Sequence, residues 1–195
     1  PAAADLDGLT IAGQGDDTQL YTSTNESVSV NVTNSGEAAG SFTVNLTIED
    51  AAGNTEIEQD NATSELTSGA SETVTFENVT GELVDDDYNI TVDTDEDAVE
   101  GNLSVFDEVD TELDNLNITG GGNDTSITQG TDGDVTVDVA NNDTTDGAVD
   151  VGLTIDGDTQ TQPFVEIAQG ENETVTFTNV TGGLGTGDYD VNVST

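Results

Sequence analysis

Apolar and polar residues alternate along most of the chain. Valines alternate with polar residues from Val28 to Val32, and the same period of two runs from Phe42 to Ile48. This period predicts β-strands whose alternate side chains face a core. Turn signals such as Asn34-Ser35-Gly36 separate the runs. The other alternating runs are Val74–Phe76, Tyr88–Val92, Leu103–Val105, Val135–Val139, Val149–Ile155, Val175–Phe177 and Tyr189–Val193.

The chain contains the same pattern twice. LDGLTIAGQGDDT, from Leu6 to Thr18, returns 107 residues later as LDNLNITGGGNDT, from Leu113 to Thr125. ETVTFENVTG, which begins at Glu72, returns 101 residues later as ETVTFTNVTG. The smaller second offset means that the second copy is six residues shorter before this point. We expect that difference in surface connections, which tolerate deletions.

About seven short alternating strands per copy predict an all-β fold, with two tandem immunoglobulin-like antiparallel β-sandwich domains at 1–106 and 107–195. The first copy ends with a strand at Gly101–Phe106, whereas the second stops at Thr195 and apparently lacks its last strand. Three explanations stay open. The chain continues past Thr195, a neighbouring molecule supplies the strand by β-augmentation, or the domain manages without it.

One tyrosine stands at the same place in both copies. Tyr88 and Tyr189 each begin the penultimate expected strand, after a turn and five residues beyond a leucine. This placement resembles the tyrosine corner of immunoglobulin-like sandwiches, whose hydroxyl bonds the backbone of the preceding corner. The alternative is an ordinary core tyrosine, and both interpretations are structural.

Charge narrows the possible partners. The chain has 42 acidic residues, no Lys, Arg or His, and a net charge of -42. Repulsion between charges decays over about 10 Å at 0.1 M salt but over about 3 Å at 1 M salt. A compact state at this charge therefore requires concentrated salt. Nucleic acid and anionic membrane surfaces are excluded as partners, because both are bound through cationic side chains. No apolar run approaches the roughly 20 residues that span a bilayer, which argues against direct membrane insertion.

Asn-x-Ser/Thr sequons are more frequent than chance. Random placement of 17 Asn and 43 Ser or Thr over 195 residues gives about four sequons. Several lie on strands, where alternation turns both Asn and Thr toward water, and Asn25, Asn61, Asn123 and Asn142 are predicted to lie in loops. We therefore expect a secreted glycoprotein with N-linked glycans on some of these sites. The thirteen candidates are Asn25, Asn31, Asn45, Asn61, Asn78, Asn89, Asn102, Asn117, Asn123, Asn142, Asn172, Asn179 and Asn192.

Acid-rich tandem repeats with β-branched alternation, NVTG turns and a strand such as DYNITV at Asp87–Val92 resemble haloarchaeal cell-surface glycoproteins. Their immunoglobulin-like modules are of the CARDB and surface-layer types. The resemblance covers essentially the whole chain, although its motifs identify a style of secreted module. It implies an extracellular, cell-surface location and a structural or adhesive role.

The available side chains leave little room for catalysis. Acid–base chemistry with two carboxylates would suit a glycosidase or an aspartic protease. The chain has no Asp-Thr/Ser-Gly triplet and no Trp, Arg or His to line a sugar site, so we expect no enzyme and no required cofactor. A lectin is a further alternative, and the absence of Trp argues against it as well.

Calcium is the stronger chemical candidate. Asp93, Asp95 and Asp97 alternate like the start of a calcium loop, although no Gly stands at its sixth position. Asp107 and Asp110, in the expected linker, form a second candidate site. With about one residue in five acidic, such clusters also arise as solvated surface, with monovalent cations as counter-ions.

We expect a structural role. The chain is predicted to be an extracellular building block that assembles with itself into a surface layer or filament through sheet edges, with strand donation as a further route. The alternative is an adhesive or spacer segment of a larger surface protein that does not polymerise. Without positive side chains, contacts between subunits have to be apolar, backbone hydrogen-bonded or cation-bridged. Such a polymer is expected to disassemble on desalting or chelation.

Overall fold

The computed structural model describes residues 1–119, 121–123 and 125–195. The chain divides into two compact units, Pro1–Phe106 (unit 1) and Asp107–Thr195 (unit 2). All regular secondary structure within the described residues is β-strand. The predicted all-β class, with two tandem immunoglobulin-like sandwiches, is confirmed.

Unit 1 is a sandwich of a three-stranded and a five-stranded sheet. The strand orders are β1-β3-β6 and β2-β8-β7-β4-β5, and β2 and β8 are the parallel neighbours. The strands of unit 1 are β1 (Ala4–Ile11), β2 (Asp17–Tyr21), β3 (Val28–Asn34), β4 (Thr43–Asp50), β5 (Thr55–Ala62), β6 (Ser71–Phe76), β7 (Asp86–Asp93) and β8 (Ala98–Phe106).

The core of unit 1 lies between these two sheets. Val28, Val30 and Val32 of β3 are fully buried, and they belong to the same apolar cluster as Leu46 of β4 and Ile90 of β7. The alternation in the sequence therefore turns one face of each sheet inward, as predicted. Burial of these side chains is the main favourable term, at about 25 cal/mol for each Å² of apolar surface.

Unit 2 has a three-stranded sheet of order β13-β10-β9 and a second of order β12-β11-β14. Its core again forms between the two sheets, around Val135, Val137, Val139, Val151 and Leu153. Its strands within the described residues are β9 (Thr111–Ile118), β10 (Val135–Asn141), β11 (Gly147–Ile155), β12 (Asp158–Ile167), β13 (Asn172–Phe177) and β14 (Val191–Ser194).

The shorter second copy has tighter connections on either side of β12. A four-residue connection joins β4 to β5 in unit 1, whereas Asp156 and Gly157 alone join β11 to β12. Both residues have positive φ, of 53° and 85°, which suits the tight turn of a two-residue hairpin. The connection from β12 to β13 is also shorter than its counterpart from β5 to β6. The missing residues therefore come from surface connections.

Sequence alternation did not reveal β5. Its residues are polar on both faces, and only Ile57 is half-buried, because β5 is an edge strand exposed to solvent. The loop prediction for Asn61 is therefore wrong, since Asn61 lies within β5.

Candidate functional site

The candidate site in unit 2 is identified by comparison with the position of β8 in unit 1. β8 lies between β2, to which it runs parallel, and β7, to which it runs antiparallel. Leu103 pairs with Thr18 on one side and with Tyr88 on the other, and it is 1% exposed. One strand thus pairs with two neighbours and completes the core between the sheets.

Unit 2 has a cavity at the corresponding place. The segment 125–129, which corresponds to β2, lines one side, and 184–189 with Val191 lines the other. The cavity measures about 510 Å³, and Ile118 and Ile155 also line it. We call it the unit 2 cleft. Within the described residues no strand lies between its two sides, and 125–128 is not a strand.

The apolar residues around the cleft are less buried than their counterparts. Leu20 of β2 is 7% exposed, whereas Ile127, at the equivalent position, is 36% exposed. Ile90 and Val92 of β7 are fully buried, and the equivalent residues of β14 are half-buried. The cleft therefore leaves apolar surface in water where unit 1 covers it.

The β14 strand is also shorter than its counterpart β7. β7 pairs with β4 from Asp93 as far as Tyr88, whereas β14 pairs with β11 only over Val191–Ser194. The register of the shared part is identical after allowing for the repeat offsets. Tyr189 and Asp190 precede β14 without strand pairing.

The two repeated tyrosines differ in their contacts. The Tyr88 hydroxyl donates to the carbonyl oxygen of Val84 at 3.0 Å and accepts from the Val84 amide at 3.1 Å. Burial raises the pKa of the Tyr88 phenol, and the nearby Asp86 carboxylate raises it further. Tyr189 is half-buried, and the described part of the chain gives its hydroxyl no hydrogen bond of this kind. Both tyrosines remain structural candidates.

The carboxylates predicted to form a calcium loop contact the protein backbone. Asp97 accepts a hydrogen bond from the Leu6 amide at 2.8 Å, and its neighbour Glu96 accepts from the Ala4 amide at 2.6 Å. Both amides belong to the edge strand β1, so this turn caps an otherwise open sheet edge. Asp93 accepts from the Asn45 side chain at 2.9 Å.

Backbone atoms of the expected linker form hydrogen bonds with other residues of unit 2. The Asp107 carbonyl oxygen accepts from the Ala148 amide, and the Asp110 amide donates to the Asp143 carboxylate. Among the residues that the structure describes, no three His, Cys, Asp or Glu side chains come together as a metal site. Calcium at Asp95 or at these positions stays a prediction.

All thirteen sequon asparagines lie within the described residues, and each is exposed or half-buried. Four of them donate their side-chain amide to another group. Asn25 donates to Asn78, Asn31 to Asp7, Asn45 to Asp93, and Asn61 to the Thr75 carbonyl oxygen. Glycosylation stays a prediction, and in these four a glycan would replace one of the two protons on the donating amide nitrogen.

Three sequon threonines have a structural role of their own. Thr80 is buried, donates to the Thr24 carbonyl oxygen and accepts from the Glu26 amide. Thr181 makes the same pair of bonds in unit 2, and buried Thr63 accepts from the Phe42 amide. These hydrogen bonds give threonine a structural role at positions 63, 80 and 181, whether or not a glycan is attached. The sequence did not reveal this, because a sequon looks the same in both cases.

A second feature missed in the sequence is a pair of buried asparagines. Asn34 donates to the carbonyl oxygens of Ala38 and Leu66, and its own oxygen accepts from the amides of Ala3 and Gly36. Asn141 repeats three of these four bonds in unit 2, donating to Thr145 and Ile167 and accepting from the Asp143 amide. Asn34 and Asn141 occupy equivalent positions, neither begins a sequon, and their recurrence was the available signal.

Two of the described carboxyl groups have lowered pKa values. The Asn54 amide lowers the pKa of Asp50, and hydrogen bonds from Thr174 and Asn115 lower the pKa of Asp138. Both shifts favour the charged form, whereas a general acid needs a raised pKa. Both aspartates are half-buried, Asp50 at the end of β4 and Asp138 within β10.

The CARDB family profile matches residues 7–104 and 114–195, once for each unit. The chain belongs to the CARDB family. CARDB is a non-catalytic, immunoglobulin-like family of extracellular and cell-surface type domains. This membership agrees with the expectation of no enzyme and with the resemblance to surface modules. No helix among the described residues of this CARDB chain is long and apolar enough to cross a membrane.

Solved structures are similar to this CARDB chain at low identity. A β-glucosidase from Listeria innocua, in complex with gluconolactone, is 18% identical over 53% of this chain and 16% of its own, with a TM-score of 0.40. A transglutaminase from red sea bream is 12% identical over 97% of this chain and 30% of its own, with a TM-score of 0.41. The chain thus spans less than a third of either protein. Among curated proteins no sequence match was found.

Proposed function

We propose that this chain is an extracellular structural module of a halophilic archaeon's surface glycoprotein, which assembles with itself into a surface layer or a filament through sheet edges and strand donation. The open side of β14 carries the proposal. Within the described residues β14 pairs with β11 alone, and its apolar residues stay half-buried. An unpaired strand edge is a template for a further strand.

The charge supports an environment of concentrated salt. With 42 carboxylates and no cationic side chain, no side-chain ion pair can offset repulsion within or between molecules. Salt at molar concentration shortens that repulsion to about 3 Å, so that apolar and backbone contacts become decisive. Thirteen solvent-accessible sequons support an N-glycosylated, secreted protein.

A non-polymerising spacer or adhesive segment is the second candidate. The capped edge of β1 favours it, because Glu96 and Asp97 occupy amides that an added strand would need. The exposed edge strand β5 also carries Glu56, Glu58 and Asp60, and like charges on an edge oppose strand addition.

Electron microscopy and light scattering of the native protein in multimolar salt test the proposal. Regular filaments or sheets that dissociate on desalting are the expected result. Monodisperse single molecules at every concentration would contradict assembly and favour the spacer. Adding a chelator at constant ionic strength tests the calcium prediction separately, and mass spectrometry of native peptides identifies which sequons carry glycans.

A further inference from the structure

We propose that the unit 2 cleft binds an extended polypeptide segment of the pattern glycine, polar donor, apolar, polar donor, apolar. The segment would lie antiparallel to β14 and parallel to 125–128. Gly101–Val105 of β8 has this pattern and fills the equivalent place in unit 1. The inference rests on the proposed function, in that assembly by strand donation would supply this segment from outside the folded units, but binding can be measured without any assembly.

The glycine is required by a close backbone approach. A Cβ at Gly101 would overlap the carbonyl oxygen of Asp16, and it would also touch the Leu9 side chain at 3.0 Å. The same Asp16 carbonyl accepts from the Asn102 amide at 2.7 Å, which anchors the start of the strand pair. Asn123 and Leu116 occupy the equivalent positions in unit 2. The first residue of the bound segment is therefore a glycine.

The two apolar positions follow from the walls of the cleft. In unit 1, Leu103 pairs with Tyr88, and Val105 pairs with Leu20; all four side chains are buried. Their partners correspond in unit 2 to Tyr189, which is half-buried, and to Ile127, which is 36% exposed. A segment with apolar residues at these two positions would cover the side chains of Tyr189 and Ile127. It would also give 125–128 an apolar neighbour on the side of the core.

The polar positions are selected by charge. The Ser104 hydroxyl donates to the Asp87 carboxylate at 2.6 Å, and Asn102 lies opposite Asn89. In unit 2 both facing positions are carboxylates, Asp188 and Asp190, and both are exposed. A hydroxyl or amide donor there gains a hydrogen bond to a charged acceptor, whereas another carboxylate is repelled.

The folded strands of this chain do not meet these needs. β8 of a second copy is a central strand of its own sheet. Gly40–Val44 has the pattern, but Val44 is fully buried in the core of unit 1. Gly133–Val137 also lies in a core, and its second residue is a carboxylate. Donation of any of them would open a unit, so the occupant is a segment that is not part of a folded unit.

The test uses the full chain in multimolar salt and a labelled nonapeptide with the sequence of Ala98–Phe106. We expect saturable binding and, on binding, at least about tenfold slower amide exchange across Tyr189–Val193. A Gly101→Val peptide is expected to bind at least about tenfold more weakly, because the added side chain meets backbone. Amide exchange in β3 of unit 1 serves as the internal control and is expected not to change.

A double-mutant cycle on two facing charges distinguishes strand insertion from non-specific adsorption of the peptide. A Ser104→Asp peptide is expected to bind the natural chain several-fold more weakly. Asp188→Asn in unit 2 is expected to recover most of that loss, because it removes the facing charge. Asp188 is exposed, so this variant should fold like the natural chain.

A tethered version keeps the inference testable if the free peptide proves poorly soluble. Appending the sequence Asp95–Phe106 after Thr195 reproduces the connection between β7 and β8, since Thr195 corresponds to Thr94. The same extension with Asp replacing Leu103 and Val105 is the control. Protection of Tyr189–Val193 by the first extension and not by the second is the expected result.

The outcomes are distinct. No binding by the peptide and no protection by the tether would overturn the inference, even if the protein forms filaments. Protection of the cleft in a peptide-free dimer whose units keep their own amide protection would also overturn it, because a folded edge of a second copy would then be the occupant. Peptide binding by a protein that stays monomeric in multimolar salt would uphold the inference while contradicting the proposed assembly.

Discussion

The two units share a repeat, but within the described residues only unit 1 has a strand in the place of β8. In unit 1, β8 pairs with β2 and β7, and Tyr88 is 3% exposed. In unit 2, 125–128, which corresponds to β2 from Thr18 onward, is not a strand, and Tyr189 is half-buried. β2 pairs with β8 alone, so one strand determines whether the other exists. A local sequence is thus a strand only where a distant partner is present.

The largest effect is expected from weakening β8 itself. Leu103→Ala should destabilise unit 1 by about 2–5 kcal/mol, because it leaves a cavity in a fully packed place. It should also increase amide exchange in β2, making unit 1 resemble unit 2. Hydrogen exchange in multimolar salt measures both effects. Val193→Ala in half-buried β14 is the matched control and should cost about 1 kcal/mol or less.

A cost as high as that of Leu103→Ala at Val193 would mean that unit 2 is packed as tightly as unit 1. The comparison between the units would then be wrong, and the cleft would not expose apolar surface in solution.

A second test concerns a feature that both units share. Asn34→Ala and Asn141→Ala should each cost about 2–3 kcal/mol, because each leaves several buried backbone groups without partners. Separate unfolding transitions of the units, followed by hydrogen exchange in β3 and β10, measure the losses. Asn54→Ala, in an exposed turn, is the control. Unequal losses would show that unit 2 has a looser network as well as an open cleft.

Sequence alone predicted the parts of the fold that alternate. Val28, Val30 and Val32 face the core because a strand buried on one face needs this period, and the repeat carried the prediction to unit 2. β5 and β2 were not predicted. β5 is polar on both faces, and β2 depends on β8, which lies about eighty residues away in sequence.

The site shows the same limit. Comparison of the two copies predicted no counterpart of β8 before Thr195, and the cleft lies at that place. The sequence could not show that Glu96 and Asp97 cap β1, because that contact joins residues more than ninety positions apart. The alternating carboxylates Asp93, Asp95 and Asp97 suggested calcium because the sequence does not show what each carboxylate faces. Whether a carboxylate faces a metal ion or a backbone amide is decided by the tertiary structure.

A smaller effect is expected at the tyrosine corner. Tyr88→Phe should cost unit 1 about 1 kcal/mol, because it removes the hydroxyl that bonds the Val84 backbone twice. Tyr189→Phe should change the stability of unit 2 by less than about 0.5 kcal/mol, since its hydroxyl lacks these bonds. Urea unfolding of the two variants in multimolar salt gives the comparison. Equal costs would indicate that Tyr189 forms the corner in solution.

The smallest effect is the alkaline titration of the same phenol. Burial raises the pKa of Tyr88 in the folded protein, so its neutral form stabilises unit 1. That contribution is fully present below the unfolded value of about 10 and is lost as pH rises through the raised folded pKa. The stability of unit 1 should therefore decline in this alkaline range, and Tyr88→Phe should remove that part of the decline. Absorbance of the phenolate, with Tyr21→Phe and Tyr189→Phe to assign the signals, measures the titration. A Tyr88 phenol that ionises at its ordinary pH, without loss of structure, would mean that its corner is as open to water as the cleft of unit 2.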